Sequence, residues 1–336
     1  MKLNRLFGLA AAALFVFATA NIVFSQTPAY RISQAYSHKN LSIFLIHGKN
    51  ETSKTNIITL PEALERRIFR VYETSEVNEL MVENISKEFD VFIQSGDIVK
   101  GGKQDRVLAV SVIIPALSGR VSIDAFCVES GRWQKRQNEN AGQFSSSNDR
   151  IVTKDLKLAA SAARSQQEVW SKVAEAQKKL SDNVGGSVAA EESKTSLQLS
   201  LENGKVAATT DEYVRNLAGI TTGKSDVIGY AFAVNGQINS ADIYVSNALF
   251  RKLWPRMLKA AAVEAVANSR GVRLADPVKA DEVKGFLSDA DRGRESTRPV
   301  SGTASIVTRE QKENVVFEAR DDKSKLVVHK NYVKKN

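Results

Sequence analysis

An Asn-Gly pair between two apolar runs is the feature that most constrains how this chain can fold. The runs are Val227–Val234 and Gln237–Val245, and the pair is Asn235-Gly236. Asn-Gly is the preferred pair in two-residue β-hairpin loops because both central positions need a positive φ. The sequence therefore predicts an antiparallel hairpin built from two long strands.

Short β-branched runs separated by polar turns dominate the chain before residue 150. A capping box at Thr59 and Glu62, with Pro61 in the first turn, predicts a short helix that ends near Arg67. The strand-like runs that follow are Ile68–Tyr72, Leu80–Ile85, Phe89–Gln94, Arg106–Ile114 and Arg120–Val128. Their spacing predicts a mostly antiparallel sheet system. The nearly continuous apolar run Val107–Ile114 predicts a central strand buried on both faces.

Helical periodicity begins after residue 150. An apolar stripe predicts one helix over Asp155–Leu180, and the polar stretch Asp182–Asn203 is typical of a loop with a short helix. A further helix is predicted over Asp211–Leu217. Another begins at the Ser246 cap, where Pro255 should kink or restart it.

The end of the chain returns to β structure. Asp281–Arg298 is charged and is interpreted as a loop, and it precedes three short strands: Thr303–Thr308, Val315–Ala319 and Leu326–His329. Trp254 is interpreted as a core residue because of its helical spacing, and Asp242 as a structural carboxylate. We therefore expect an α+β fold. A polar lead over residues 26–35 would precede a single domain over 36–331. Its N-terminal half, 36–150, would be mostly antiparallel β, and its second half, 151–331, mixed α/β with long helices and the hairpin.

The first 25 residues have the pattern of a secretory signal peptide. Lys2 and Arg5 precede an uncharged stretch rich in Leu, Phe, Ala and Val, and small residues favour a cut after Ser25. A cut after Ala20 is the alternative. Polar residues interrupt the apolar stretch, which disfavours a spanning helix of about 20 apolar residues. We expect a secreted or periplasmic protein with no stable membrane anchor after the signal is removed.

Cysteine content and charge narrow the classes of function. Cys127 is the only cysteine, so no internal disulfide can form and a packed core must supply the stability. The formal net charge of +9 is moderate and spread along the chain. It favours anionic partners without marking a nucleic-acid binder. The three histidines lack the spacing of metal ligands, so neither a metal site nor a cofactor is predicted.

The polar segment Ser95–Arg106 is the first candidate for a binding site. Its adjacent glycines allow backbone N–H groups to point at one ligand, and the side chains that follow add positive charge and amide donors. The ligand-binding candidates in this segment are Gly101, Gly102, Lys103, Gln104 and Arg106. Such a turn suits a phosphate or a carboxylate, and a hairpin turn with solvated charges is the alternative. Gly102 stands where a Walker loop requires lysine, so no nucleoside triphosphate site is predicted.

The second candidate is the segment Cys127–Trp133 at the end of a predicted strand. Arg132 can hold an oxyanion bidentately, Trp133 can stack on a ring or sugar, and Glu129 can act as a general acid or base. A surface ion pair between Glu129 and Arg132 is the alternative. Cys127 follows an apolar strand with no histidine near it in sequence, so it is interpreted as a buried, inert cysteine.

Five ordered motifs give the chain a family resemblance. They are Gly96-Asp97, Gly101-Gly102-Lys103-Gln104 with Arg106, Cys127-Val128-Glu129 with Gly131-Arg132-Trp133, Val234-Asn235-Gly236, and Leu249–Pro255. In this order they resemble the ARG and Rhodanese-Phosphatase-superfamily-associated domain, in which ARG stands for ADP-ribosylglycohydrolase, over roughly Tyr36 to His329. The resemblance implies an association with ADP-ribose and phosphate chemistry, and it favours the two polar segments as a ligand site. It carries no catalytic residue over.

Three functions are compatible with these features. The first is the binding of a small anionic ligand, phosphate-like or sugar-phosphate-like, and the side chains that would hold it are Lys103, Gln104, Arg106, Arg132 and Trp133. The second is an interaction or structural role in the cell envelope, with an unknown protein partner. The third is a hydrolase acting on a phosphorylated or ADP-ribose-like substrate, with Glu129 or Asp97 as acid or base. A site built from the two polar segments requires them to share one concave surface.

Overall fold

The structure is a computed structural model that describes residues 30–52, 54, 56–74, 76–132, 144–150, 153–269 and 276–335. The predicted signal peptide, residues 26–29 of the polar lead, and Trp133 lie outside the described residues. In the described residues the α+β class is confirmed, since the strands form three sheets and helices pack beside them. In the described part of the chain, no helix is long and apolar enough to cross a membrane.

Strands dominate the first half of the chain and its C-terminus. In chain order the strands are β1 (Arg31–Ile32), β2 (Tyr36–His38), β3 (Leu41–His47), β4 (Ile57–Thr59), β5 (Phe69–Glu73), β6 (Glu79–Asn84), β7 (Asp90–Ile93), β8 (Asp97–Gly101), β9 (Arg106–Leu108), β10 (Val112–Ile114), β11 (Arg120–Cys127), β12 (Phe144–Arg150), β13 (Val227–Val234), β14 (Gln237–Tyr244), β15 (Arg294–Ser301), β16 (Ala304–Glu310), β17 (Asn314–Asp321) and β18 (Leu326–Lys334). The helices are α1 (Leu60–Glu65), α2 (Lys154–Leu158), α3 (Gln166–Val184), α4 (Leu197–Leu201), α5 (Gly204–Leu217), α6 (Asn247–Ala267) and α7 (Ala280–Asp291).

The largest sheet combines strands from both ends of the chain. Its order is β1-β3-β13-β14-β18-β17-β16-β15, with β2 on β3, and all its pairs are antiparallel. A second sheet has the order β12-β8-β9-β11-β6-β5, and a third has the order β10-β7-β4 with β4 and β7 parallel. The helices α3, α5 and α6 pack together, and α6 also packs on β13, so the main core lies between these helices and the large sheet.

The Asn-Gly hairpin is confirmed. Asn235 and Gly236 have φ values of 55° and 76°, and β13 and β14 pair on either side of them. The predicted capping box is also present, because the Thr59 side chain accepts a hydrogen bond from Glu62 N and the Glu62 carboxylate accepts one from Thr59 N. Both predictions depend only on residues that are adjacent in sequence.

The predicted central strand Val107–Ile114 is wrong as a single strand. It is interrupted at residues 109–111, so that β9 belongs to the second sheet and β10 to the third. Ala109 N donates to Asp124 O at 2.9 Å, which extends the β9–β11 pairing by one residue. Beyond it, Ser95 N donates to the Ser111 side chain at Oγ, 3.0 Å away, instead of to a strand backbone. The run is apolar except for Ser111 because both of its halves are largely buried, although in different sheets.

The predicted helix Asp155–Leu180 is also interrupted. After α2 and a π-helical turn at Ala159–Ala163, Arg164 adopts a left-handed φ of 52°, and Ser165 caps the new helix α3 by accepting from Glu168 N. By contrast, α6 runs through Pro255 without a restart. Its Ser246 cap is confirmed, and Trp254 is buried and donates its indole N–H to Ala218 O at 3.1 Å.

The segment Asp281–Arg298, interpreted as a loop, contains helix α7 and the first half of β15. Charged residues cover the outer face of α7 and obscure its periodicity in the sequence. The inner face is apolar at helical spacing, and its buried residues are Val283, Phe286, Leu287 and Ala290. This stripe packs with Tyr332 and Val316 of the large sheet, which stabilises the helix through burial rather than through intrinsic propensity.

Candidate functional site

The segment Ser95–Arg106 forms the β8–β9 hairpin. Gly101 and Gly102 have φ values of 116° and 57°, in the left-handed region that favours glycine. A Cβ on Gly102 would lie 2.5 Å from Phe144 Cζ and 2.6 Å from Glu73 Oε1. The two glycines therefore let the turn pack closely against neighbouring side chains of the same protein.

The sequence predicts that backbone N–H groups of this turn point at an anionic ligand. In the structure they donate to carboxylates of the protein itself. Gly101 N donates to Asp105 Oδ1 at 3.1 Å, and Lys103 N donates to Glu73 Oε1 at 3.1 Å. Glu73 also accepts from Arg106 Nη2 at 3.2 Å, while Arg106 Nη1 donates to Val77 O at 2.6 Å. The Lys103 side chain is exposed.

The two polar segments meet around Glu129. Gln104 Nε2 donates to Glu129 O at 2.8 Å, and Arg132 Nε donates to Glu129 Oε2 at 2.7 Å. Arg132 Nη2 also lies 3.6 Å from Asp105 Oδ1. Glu129, Gln104 and Asp105 are fully buried, with 0% exposure. This convergence is an internal network in which carboxylates already engage the basic groups.

The two acid–base candidates, Asp97 and Glu129, are both ion-pair partners of arginines. Asp97 is 1% exposed, accepts from Arg150 and from Arg256 Nη1 at 2.9 Å, and also accepts from Gln94 N at 2.9 Å. Cys127 is fully buried, and burial raises its pKa to about 11. Its thiol is therefore protonated at neutral pH and is a weak nucleophile.

A second cluster links three residues far apart in sequence. His329 on β18 lies with Nδ1 3.0 Å from Ser111 Oγ and with Nε2 3.0 Å from Asp242 Oδ1 on β14. The imidazole stacks on Tyr244 with a centroid distance of 4.7 Å and meets the edge of Phe92 at 5.9 Å. These aromatic contacts fix the plane of the ring.

Asp242 is the charged end of this cluster. Asn331 Nδ2 donates to its Oδ1 at 2.9 Å, beside the contact from His329. Burial alone would raise the pKa of Asp242, but the hydrogen bond from His329, together with the charges of Lys157 and Arg150, lowers it below its ordinary value. Asp242 is therefore ionised at neutral pH, although it is only 1% exposed.

Two small cavities lie on either side of Asn331, Ser95 and Ser161, which line both of them. The inner cavity, of about 20 Å³, is lined by Asp242, Arg150 and Lys157 among others. The outer crevice, of about 40 Å³, is lined by Ser111 and by Arg298, whose side chain is partly exposed. Each has room for one or a few water molecules, so neither holds a ligand as large as a sugar phosphate.

A much larger groove runs along β17 and β18 beside the end of α7. Its volume is about 610 Å³, within the range of small-molecule sites. We call it the basic groove, since five cations and four carboxylates line it, with Tyr30 at one side. The cations are Arg292, Arg309, Arg320, Lys325 and Lys330, and the carboxylates are Glu51, Asp291, Glu295 and Glu318.

Glu318 is the carboxylate of the basic groove that contacts three cations. Arg309 Nη1 donates to its Oε2 at 2.7 Å, Arg320 Nε donates to its Oε1 at 2.7 Å, and Lys330 Nζ lies 3.5 Å from Oε2. Burial would raise the pKa of Glu318, but the charge of Lys330 and the hydrogen bonds from both arginines lower it. One buried carboxylate is thus shared by three cations.

Neither the histidine cluster nor the basic groove can be read from local sequence. Ser111 lies in an apolar run, His329 in a short strand, and Asp242 in the hairpin, where it shows no partner. The alternating charges of β17 and β18 are the one signal for the groove, because residues two apart share a face of a strand. No group of three or more metal-ligand side chains occurs in the described ranges.

The fold and these sites define a mixed α+β domain. It has a polar turn whose charges are paired within the protein, a buried histidine cluster and an open basic groove. The chain belongs to the ARG and Rhodanese-Phosphatase-superfamily-associated Protein domain family, whose model matches residues 29–335. This match confirms the resemblance seen in the ordered motifs and extends it over nearly the whole chain. No curated protein and no solved structure matches the chain.

Proposed function

We propose that this chain is an exported protein that binds a small anionic ligand, phosphate-like or sugar-phosphate-like, in the basic groove. The observation that carries the proposal is the sharing of Glu318 by Arg309, Arg320 and Lys330. Arg309 and Lys330 also contact Glu295 and Asp291, but five cations and four carboxylates line the groove. One positive charge is left unbalanced, so the groove attracts a further anion. Guanidinium groups suit a phosphate because their N–H donors match two of its oxygens at once.

The size of the groove supports the same ligand class. A volume of about 610 Å³ accommodates a sugar phosphate with its water shell. Arg320 has a side-chain exposure of 35%, so its guanidinium reaches solvent while it contacts Glu318. Arg309 is held from both sides, since its Nη2 also lies 2.9 Å from Glu295 Oε2. One arginine is thus fixed and the other is accessible to an incoming anion.

The β8–β9 turn is the competing location for the same ligand. Lys103 is exposed there, but carboxylates within the protein already pair with Arg106 and Arg132. An anion bound at the turn would have to compete with Glu73, Glu129 and Asp105 for these arginines. Displacing buried ion pairs costs more than occupying an open groove, which is why we place the ligand in the groove.

Thermal unfolding in the presence of anions tests the proposal. A ligand that binds the native state stabilises it by about 2.7 kcal/mol at a concentration one hundred times its dissociation constant. We expect phosphate, ribose 5-phosphate or ADP-ribose to raise the melting temperature, and uncharged ribose to leave it unchanged. If none of these anions raises it, the binding proposal fails and an interaction role in the envelope is favoured.

Two matched variants locate the site. Arg320→Gln and Lys103→Gln each remove one positive charge from a solvent-accessible side chain. We expect Arg320→Gln to weaken the binding of the stabilising anion about tenfold, which corresponds to about 1.4 kcal/mol, and Lys103→Gln to have little effect. The opposite pattern would move the ligand to the β8–β9 turn and overturn the groove assignment.

Export is supported by the charged, apolar and small-residue pattern of residues 1–25. N-terminal sequencing of protein recovered from outside the cytoplasm tests it. Gln26 is the expected first residue, and Asn21 would indicate the alternative cut. Recovery of an uncleaved chain starting at Met1 would contradict the proposal.

A further inference from the structure

The hydrogen-bonded chain of Ser111, His329 and Asp242 joins three types of functional group that activate a nucleophile in serine hydrolases. Its members come from the interruption between β9 and β10, from β18 and from β14. The crevice beside Ser111 shares no lining residue with the basic groove. The crevice is therefore distinct from the groove, and Tyr244, which stacks on His329 and lines the groove, lies between the two.

The neighbouring hydrogen bonds assign the protons in this cluster. Asp242 is ionised and can only accept, so His329 donates to it through Nε2–H, and Nδ1 is the acceptor whenever the imidazole carries a single proton. Ser95 N already donates to Ser111 Oγ at 3.0 Å. The Ser111 hydroxyl proton is then directed at His329 Nδ1, which is the arrangement that a general base requires.

The second requirement is access to a substrate. Ser111 is 6% exposed and lines the outer crevice of about 40 Å³. One wall of the crevice is apolar, formed by Ile306, Phe317 and Ala319. Arg298, with 37% side-chain exposure, also lines the crevice and pairs with Asp124. A short apolar acyl group fits this volume, whereas a long chain does not.

We propose that Ser111 is the nucleophile of a hydrolytic site for esters of short acyl groups, with His329 as general base and Asp242 as the residue that positions the imidazole. Ser111 Oγ forms a bond to the acyl carbon while its proton passes to His329 Nδ1. The bond between the acyl carbon and the alcohol oxygen breaks, and that oxygen takes the proton from His329.

Water completes the cycle. Its oxygen bonds to the acyl carbon while one of its protons passes to His329 Nδ1. The bond between the acyl carbon and Ser111 Oγ then breaks, and Ser111 recovers the proton from His329. The products are one alcohol and one carboxylic acid, and no oxidant, reductant or metal is consumed.

Covalent labelling of the exported chain tests the nucleophile directly. A fluorophosphonate probe reacts with an activated serine when the serine oxygen bonds to phosphorus, fluoride leaves and the hydroxyl proton is lost. We expect peptide mass spectrometry to find one adduct, on Ser111, and none in Ser111→Ala. Ser122→Ala, which removes an exposed hydroxyl on β11, should label as the unmodified chain does. A folded protein that carries no adduct on Ser111 would overturn the proposal.

Turnover of p-nitrophenyl esters tests the other two residues. The acetate should be hydrolysed faster than the octanoate because of the small crevice. His329→Gln should lower kcat by about 10²–10⁴-fold, and Asp242→Asn should lower kcat while leaving KM within about twofold, as loss of positioning predicts. Equal turnover by Ser111→Ala and the unmodified chain would refute the site. If a variant fails to fold, the position of the adduct on the unmodified chain tests by itself whether Ser111 is the nucleophile.

Discussion

Replacing Glu318 with glutamine should lower stability and tighten anion binding at the same time. Glutamine keeps the volume of the side chain but removes the charge that Arg309, Arg320 and Lys330 share. Breaking a buried ion pair costs about 3–5 kcal/mol. Because Arg320 is 35% exposed and the groove is open to water, we expect a smaller loss of about 2–3 kcal/mol.

The gain in affinity follows from the same charges. A like charge about 4 Å from a bound anion opposes it by about 4 kcal/mol at an effective dielectric constant of 20, and water in an open groove reduces this value. We expect an anion to bind at least about tenfold more tightly to the variant, or about 1.4 kcal/mol.

Urea unfolding with and without phosphate measures both effects. The variant should have a lower unfolding midpoint in buffer and recover more stability than the unmodified protein when phosphate is added. Asp322→Asn, which removes a carboxylate at the β17 end away from the groove lining, is the matched control. A loss below about 1 kcal/mol together with unchanged phosphate affinity would refute the charge-sharing argument.

Three further predictions concern acid stability, backbone packing and the thiol. The pKa values of Glu318 and Asp242 lie below their ordinary values of 4.5 and 3.8. The two ionised carboxylates therefore stabilise the fold above those pH values, and this stabilisation is lost as pH falls through each lower native pKa. The urea unfolding midpoint should fall between pH 6 and pH 3, and it should fall less steeply in Glu318→Gln. Gly229→Ala should destabilise the protein by several kcal/mol, because the new Cβ would lie 2.2 Å from Asp242 O, whereas Gly302→Ala, with nothing within 4 Å, should be nearly neutral by thermal unfolding. Cys127 should resist a thiol reagent in the native protein and react in urea, since it is fully buried with a pKa of about 11; rapid native reaction would contradict that burial.

The parts of the fold that the sequence predicts are those fixed by neighbouring residues. The capping box of α1, the Asn235-Gly236 turn and the Ser246 cap each depend on contacts within a few positions. The interruption of Val107–Ile114 involves instead Ser95, which lies elsewhere in the chain and donates its backbone N–H to Ser111 Oγ. An apolar run looks the same whether it is buried in one sheet or in two.

The same distinction applies to the candidate sites. The two polar segments do meet, as a site built from both requires, but the charge left available to a ligand depends on partners outside the motifs. Glu73, which pairs with Arg106, is 33 residues away from it in sequence. Similarly, 218 residues separate Ser111 from His329. Side-chain type is visible in a sequence, whereas the neutralisation of a charge and the pairing of a base with a hydroxyl arise from tertiary contacts.

The placement of β3 between strands of the large sheet has a consequence for the timing of folding. β3, near the start of the chain, pairs with β13, and β14 in turn pairs with β18 at its end. The large sheet cannot be complete until β18 has been synthesised, and contacts of such long sequence separation form slowly. The second sheet, whose strands all lie between residues 69 and 150, can form earlier, so the two sheets would be completed at different stages of synthesis.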